Sequence, residues 1–320
     1  MRISETNGNI IINTYSIYSN ENAVKSTNPF KTNAALDSVN IQRASVLKRD
    51  FAAEKKQSIE KFTKEIGKSI EEKDTVAVLT YFGMTPKVKE DGTMSISAYK
   101  QPTNLVSFSD LGINEDELLK NVNEIKGDAN FYESKATNLS SIKRIGGNAN
   151  FTRSEVTNLE NLTEVKGDLK CTNSKVENLN NLEKIGGSAW FDFSEVKEMN
   201  NLKEIDGNVA FFSNSKVSEM KNLEKINGEA HFYSSAIKDL SSLKEIGGST
   251  DLRNTDIEEL PKIEKFGGFV MFDNSKIENM PALKEVKGNV RITNTVLTKE
   301  DFEEVKVDGK IQDKYNYYKV

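Results

Sequence analysis

Beyond Gly127 the chain repeats itself. Glycine recurs at 127, 147, 167, 187, 207, 228, 248, 268, 288 and 309, every 20 residues with two single-residue slips. Position 0 is taken as the residue two after each glycine. Apolar or small residues then fall at positions 0 and 2, Ser or Thr at 5, and apolar residues again at 7, 10, 13 and 16. One unit reads Ala149, Phe151, Ser154, Val156, Leu159, Leu162, Val165, and another reads Ala189, Phe191, Ser194, Val196, Met199, Leu202, Ile205. Self-similarity at a fixed period of this length is the mark of a repeat solenoid. Positions 0 and 2 have the strand period, so both point inward and position 1 points out. The later positions return every third residue, which suits a short 3-10 or extended path. The expected fold is a right-handed coil of about ten rungs, with one strand per rung stacked into a parallel sheet.

Before the repeat the pattern changes twice. Residues 1–38 are rich in Asn, Ser and Thr without a sustained period, which predicts a disordered arm. From Val39 to Ile70 the apolar residues Leu47, Phe51, Ile59, Phe62, Ile66 and Ile70 fall at helical spacing and predict an amphipathic helix. Its apolar stripe needs a cover, either the start of the solenoid or another chain. A second apolar run, Thr75 to Phe82, stops at Gly83, and the alternation around Asp91-Gly92 predicts a hairpin. Residues 39–110 are therefore helix plus hairpin, 111–311 the capped solenoid, and 312–320 a tail. Asn114 with Glu117, and Thr298 with Asp301, have the spacing of helix caps at the two ends. A short strand at Lys310-Ile311 would close the sheet.

The repeat resembles the leucine-rich repeat family in its short, 20-residue bacterial form, as found in some secreted effector proteins. The resemblance spans about residues 112–311, where positions 0, 2, 5 and 7 match the family pattern. Two departures stand out: the family's asparagine is Ser or Thr in every unit, from Ser134 to Thr295, and the opening leucine is displaced by one residue. The resemblance implies a binding solenoid whose partner meets the concave strand face. It says nothing about residues 1–110.

The register sorts the aromatic residues. Phe131, Phe151, Phe191, Phe211, Phe232 and Phe272 take position 2 and are expected in the core. Trp190, His231 and Met271 take position 1, Phe212, Tyr233 and Arg253 position 3, and Phe193 position 4. These seven residues form the candidate binding face, since exposed aromatic residues on a sheet invite a partner. A cross-strand aromatic ladder with a purely structural role is the alternative.

Composition narrows the chemistry. Net charge is −5 with the signs mixed throughout, so no basic footprint for nucleic acid stands out. No apolar run reaches the length of a membrane span or a signal peptide core, which favours the cytoplasm. Export by a non-classical route, using the amino-terminal arm of a secreted effector, is the second reading. The chain has one cysteine and one histidine, too few for a disulfide framework or most zinc sites. Cys171 takes core position 2 while His231 points outward, three rungs away at roughly 14 Å, so they form no nucleophile–base pair. The cysteine is equally unsuited to the catalytic ubiquitin-ligase domain of some effector relatives. The Ser/Thr column at position 5 has no accompanying base and is expected to hydrogen-bond the backbone of its turn. The Lys/Glu pairs carried by many units are expected on solvated faces. The sequence thus predicts a non-catalytic protein-binding module with no cofactor and no metal.

Overall fold

The computed structural model describes residues 34–313, with side chains from residue 50 onward. The chain divides into two units, Met1–Asp50 and Phe51–Val320. Helix α1 (Ala34–Glu71) begins inside the stretch expected as an arm. The remainder of that arm, and the tail beyond residue 313, lie outside the described residues.

Each rung carries the expected strand at positions 0 and 1, as in Ala149–Asn150 and Ala189–Trp190. These stack in parallel into a ten-stranded sheet that ends at Ile311–Gln312, one residue beyond the expected closing strand. The return path does more than run extended. Positions 15 and 16 form a second two-residue strand, as in Arg144–Ile145 and Glu164–Val165, and belong to a twelve-stranded sheet. Single bridges at position 9, such as Asn138 to Asn158 and Asn158 to Asn178, add a third ladder. A rung this small has no helix to satisfy its backbone, so its N–H and C=O groups pair with the rungs on either side. Phe151 N–H donating to the Lys170 carbonyl at 2.7 Å is one such bond.

All seven inward positions are buried in most rungs, with Met280 and Thr295 only partly covered near the far end. In the unit beginning at Ala149 the six apolar ones are fully enclosed, and the same holds at Ala189. The position-2 rings stack along the core: Phe131 on Phe151 with centroids 5.1 Å apart, Phe191 on Phe212 at 5.1 Å, and Phe212 on Phe232 at 5.2 Å. This corrects the expected register of one rung. Phe212 is in the core and Phe211 is not, because the first slip places its extra residue immediately after Gly207. Ala189 therefore pairs with Ala210, and Trp190 with Phe211.

The repeating glycine serves close approach. A Cβ on Gly187 would lie 2.5 Å from the Asp168 side chain and 2.6 Å from the Asp168 backbone nitrogen, inside contact distance. No side chain fits between rungs there.

The serine column departs from expectation. The Ser154, Ser174, Ser194, Ser215, Ser235 and Ser275 hydroxyls are buried without a hydrogen-bond partner. Thr255 and Thr295 instead donate to the carbonyls three residues back, both at 2.8 Å. The corner is closed by backbone alone: Ser194 N–H donates to the Phe191 carbonyl at 3.1 Å. A small side chain is what this corner selects, and its hydroxyl finds a partner only at Ser134, Thr255 and Thr295.

The amino-terminal end is sealed by packing. Hairpin β1 (Lys87–Val88) and β2 (Met94–Ile96) pairs antiparallel, and β2 then adds to strand Val122–Ile125 of the twelve-stranded sheet. Ile66 of α1 is buried in the continuous core, with Phe62 and Ile70 packed against it. Phe62 meets Phe82, which follows α2 (Thr75–Tyr81), edge to face at 5.4 Å. The part of the helix stripe from Phe62 to Ile70 is thus covered by the start of the solenoid, while Phe51 remains half exposed. Asn114 caps α3 (Glu115–Leu119) by accepting from Glu117 N–H at 3.1 Å. At the far end the relation is reversed, with the Asp301 carboxylate accepting from Thr298 N–H at 2.7 Å.

Candidate functional site

The outer face of the ten-stranded sheet is built from positions 1 and 3. Paired strands bring position-1 side chains into one column, since residues in register on neighbouring strands lie within side-chain contact. In its middle that column runs Lys170, Trp190, Phe211, His231, Asp251, Met271.

The column is a ladder of stacked groups. The Lys170 ammonium lies 4.7 Å from the centroid of the Trp190 ring, a cation over an aromatic face. Phe211 and His231 stack at 4.7 Å with planes 23° apart. His231 Nε2 is also 3.4 Å from the Glu229 carboxylate. Beyond the aromatic rungs the face becomes ionic. Asp251 is nearly buried and accepts from Arg253 Nε at 2.9 Å and Nη2 at 2.7 Å. The same guanidinium lies 5.1 Å from the Tyr233 ring centroid. Asp273, fully buried, accepts from Arg291 Nε at 2.5 Å. Pairing lets these two carboxylates stay on a covered face without an uncompensated charge. Burial raises the carboxyl pKa of Asp192, in the position-3 column, above its ordinary value.

Phe193 stands at the edge of this face. Position 4 closes a turn in the left-handed backbone region in every rung from Glu133 to Asn294. Asn holds five of the nine places, and it tolerates that conformation through its short polar side chain. Phe193 has φ +55° there with 57% of its surface exposed. A bulky residue in this region is an outlier whose strain the fold must sustain.

Six of the seven sequence-predicted residues, Trp190, Phe193, His231, Tyr233, Arg253 and Met271, lie on this outer side. Phe212 does not: it is stacked inside, and Phe211 takes its place on the face. Lys170 was also missed as a partner of Trp190. The register error was legible, since counting back from Ser215, rather than forward from Gly207, puts Phe212 at position 2. Cys171 is fully enclosed in the core, where burial pushes its thiol pKa up, away from thiolate chemistry. Among the described residues no cluster of three or more His, Cys, Asp or Glu is arranged to hold a metal, and no helix is long and apolar enough to cross a membrane.

The twelve-stranded sheet presents a different outer face. Its position-15 column reads Glu124, Arg144, Glu164, Lys184, Glu204, Lys225, Glu245, Lys265, Glu285, Lys306, with the sign alternating at every step. Arg144 closes on Glu124 at 2.9 Å, Lys184 on Glu204 at 3.2 Å and Lys306 on Glu285 at 2.9 Å. All of these charges except Glu164 form an ion pair within their own column, whereas the opposite sheet carries the aromatic residues. Compared with protein-family models, curated proteins and solved structures, the chain matches none.

Proposed function

We propose that the solenoid is a non-catalytic protein-binding module and that its partner docks on the outer face of the ten-stranded sheet, centred on Trp190, Phe211, His231, Tyr233 and Phe193. The observation that carries this reading is Phe193, an aromatic residue both strained and exposed at the edge of the aromatic ladder. Backbone strain persists where it serves a site, and large aromatic residues are the usual anchors of interfaces. The resemblance to leucine-rich repeats supports the same face. The charge-compensated opposite sheet offers a partner little beyond hydrated ion pairs.

The full chain used as bait against Trp190→Ala/Tyr233→Ala tests the proposal. A specific partner should be retained by the parent and lost by the double variant at unchanged thermal stability. A partner that binds both equally, or a double variant that unfolds, overturns it.

A further inference from the structure

A second feature, independent of the sheet face, lies at the amino-terminal end of the solenoid. A cleft of about 320 Å³ opens between the end of α1, the start of α2 and the segment around α3. Its apolar lining comes from Ile70, Val78, Ile113 and Leu118, and two lysines, Lys73 and Lys120, also line it. Lys120 is committed to Glu117, with Nζ 2.9 Å from the carboxylate. Lys73 makes no ion pair among the described residues. The Glu117 carboxylate also lines the cleft and is held below its ordinary pKa chiefly by Lys120 and further by the Lys73 charge. Two lysines thus face one carboxylate, and a surplus positive charge lies beside the apolar residues.

The backbone singles out the same lysine. Helix α1 ends with Asp74 N–H donating to the Ser69 carbonyl at 2.9 Å and Lys73 N–H to the Ile70 carbonyl at 3.1 Å. This pair of bonds places Lys73 at the left-handed position that follows the helix, where glycine or asparagine is usual. Its φ is +54°. A lysine thus stands on the rim of an apolar cleft at a position where glycine or asparagine would be conformationally easier.

We infer that this cleft binds a small amphipathic anion, a short apolar chain seated against Ile70, Val78, Ile113 and Leu118 with its anionic head on the Lys73 ammonium. The cleft has the size of a small-ligand site and the lining of one, mostly apolar with a few polar groups that set orientation. The head group is a carboxylate or a phosphate monoester, since an ammonium serves both as a point charge.

The test titrates the full chain with sodium octanoate and with octyl phosphate, following the thermal midpoint and backbone amide shifts. Acetate and octan-1-ol are the head-only and tail-only controls. Saturable binding of either amphiphile, with amide shifts confined to the residues around the cleft, is the expected result, and the better of the two identifies the head group. Lys73→Asn keeps a side chain suited to the left-handed cap and removes the charge. It should retain or raise the basal midpoint and weaken binding about tenfold or more, as loss of a charged hydrogen bond does. No saturable binding of either amphiphile, equal binding of octan-1-ol, or undiminished affinity in Lys73→Asn overturns the inference.

Discussion

Phe211 and Phe212 are consecutive and face opposite sides of one sheet. Phe212 stacks between Phe191 and Phe232 in the core, each at about 5 Å, while Phe211 stacks on His231 outside. Their substitutions separate stability from recognition. Phe212→Ala opens a cavity in a continuous ring stack and should cost about 3–5 kcal/mol. Phe211→Ala removes a half-exposed stacking partner and should cost about 1 kcal/mol. Urea unfolding of both variants is the check, and a larger loss for Phe211→Ala than for Phe212→Ala would show that the register is one residue off.

The strained corner makes a contrary prediction. Phe193→Asn places at φ +55° the residue most common in that column, so the variant should be more stable by about 1 kcal/mol. It should also bind the partner less well, the trade expected where a site stores strain. A destabilised Phe193→Asn would mean that the exposed ring has packing value of its own.

The serine corner predicts a gain from deletion. Ser194 is 1% exposed and its hydroxyl has no hydrogen-bond partner. An unmet buried polar group costs about 1–3 kcal/mol, so Ser194→Ala should be neutral or stabilising. A loss above about 1 kcal/mol in thermal or chemical unfolding would show that the hydroxyl is paired in solution.

Alkaline pH should act through Tyr99. Its hydroxyl is buried and donates to the buried Glu115 carboxylate, which also accepts from Gln101 Nε2 at 2.6 Å and Ser134 Oγ at 2.9 Å. Burial, reinforced by the Glu115 charge, raises the Tyr99 pKa well above its ordinary value of 10.0. The folded state therefore holds this proton more tightly than the unfolded chain does. The stabilisation is fully present below pH 10 and declines as pH rises past it. Tyr99→Phe should be less stable than the parent at neutral pH by about 1–3 kcal/mol, because Glu115 loses a donor. That difference should shrink from pH 10 upward in unfolding measurements, and a constant difference across the range would exclude Tyr99 as the titrating group.

Much of the fold was legible in the residues alone. The glycine period, the seven inward positions and the helix stripe through Ile66 are local statements, because a rung must bury the same offsets each time it returns. The hairpin at Asp91-Gly92 follows equally from local turn chemistry. What the tertiary structure decided is how each rung meets the next. The second strand at positions 15 and 16 exists because its backbone pairs with neighbouring rungs, a partner 20 residues away that no local pattern specifies. The alternating charges at position 15 become a column only once those strands stack in register. Which of Phe211 and Phe212 is inside can be read by counting back from Ser215, and the pairing of Ala189 with Ala210 agrees with that count. A period prescribes the burial of each rung, but only the hydrogen bonds between rungs fix the register in which its outer side chains meet.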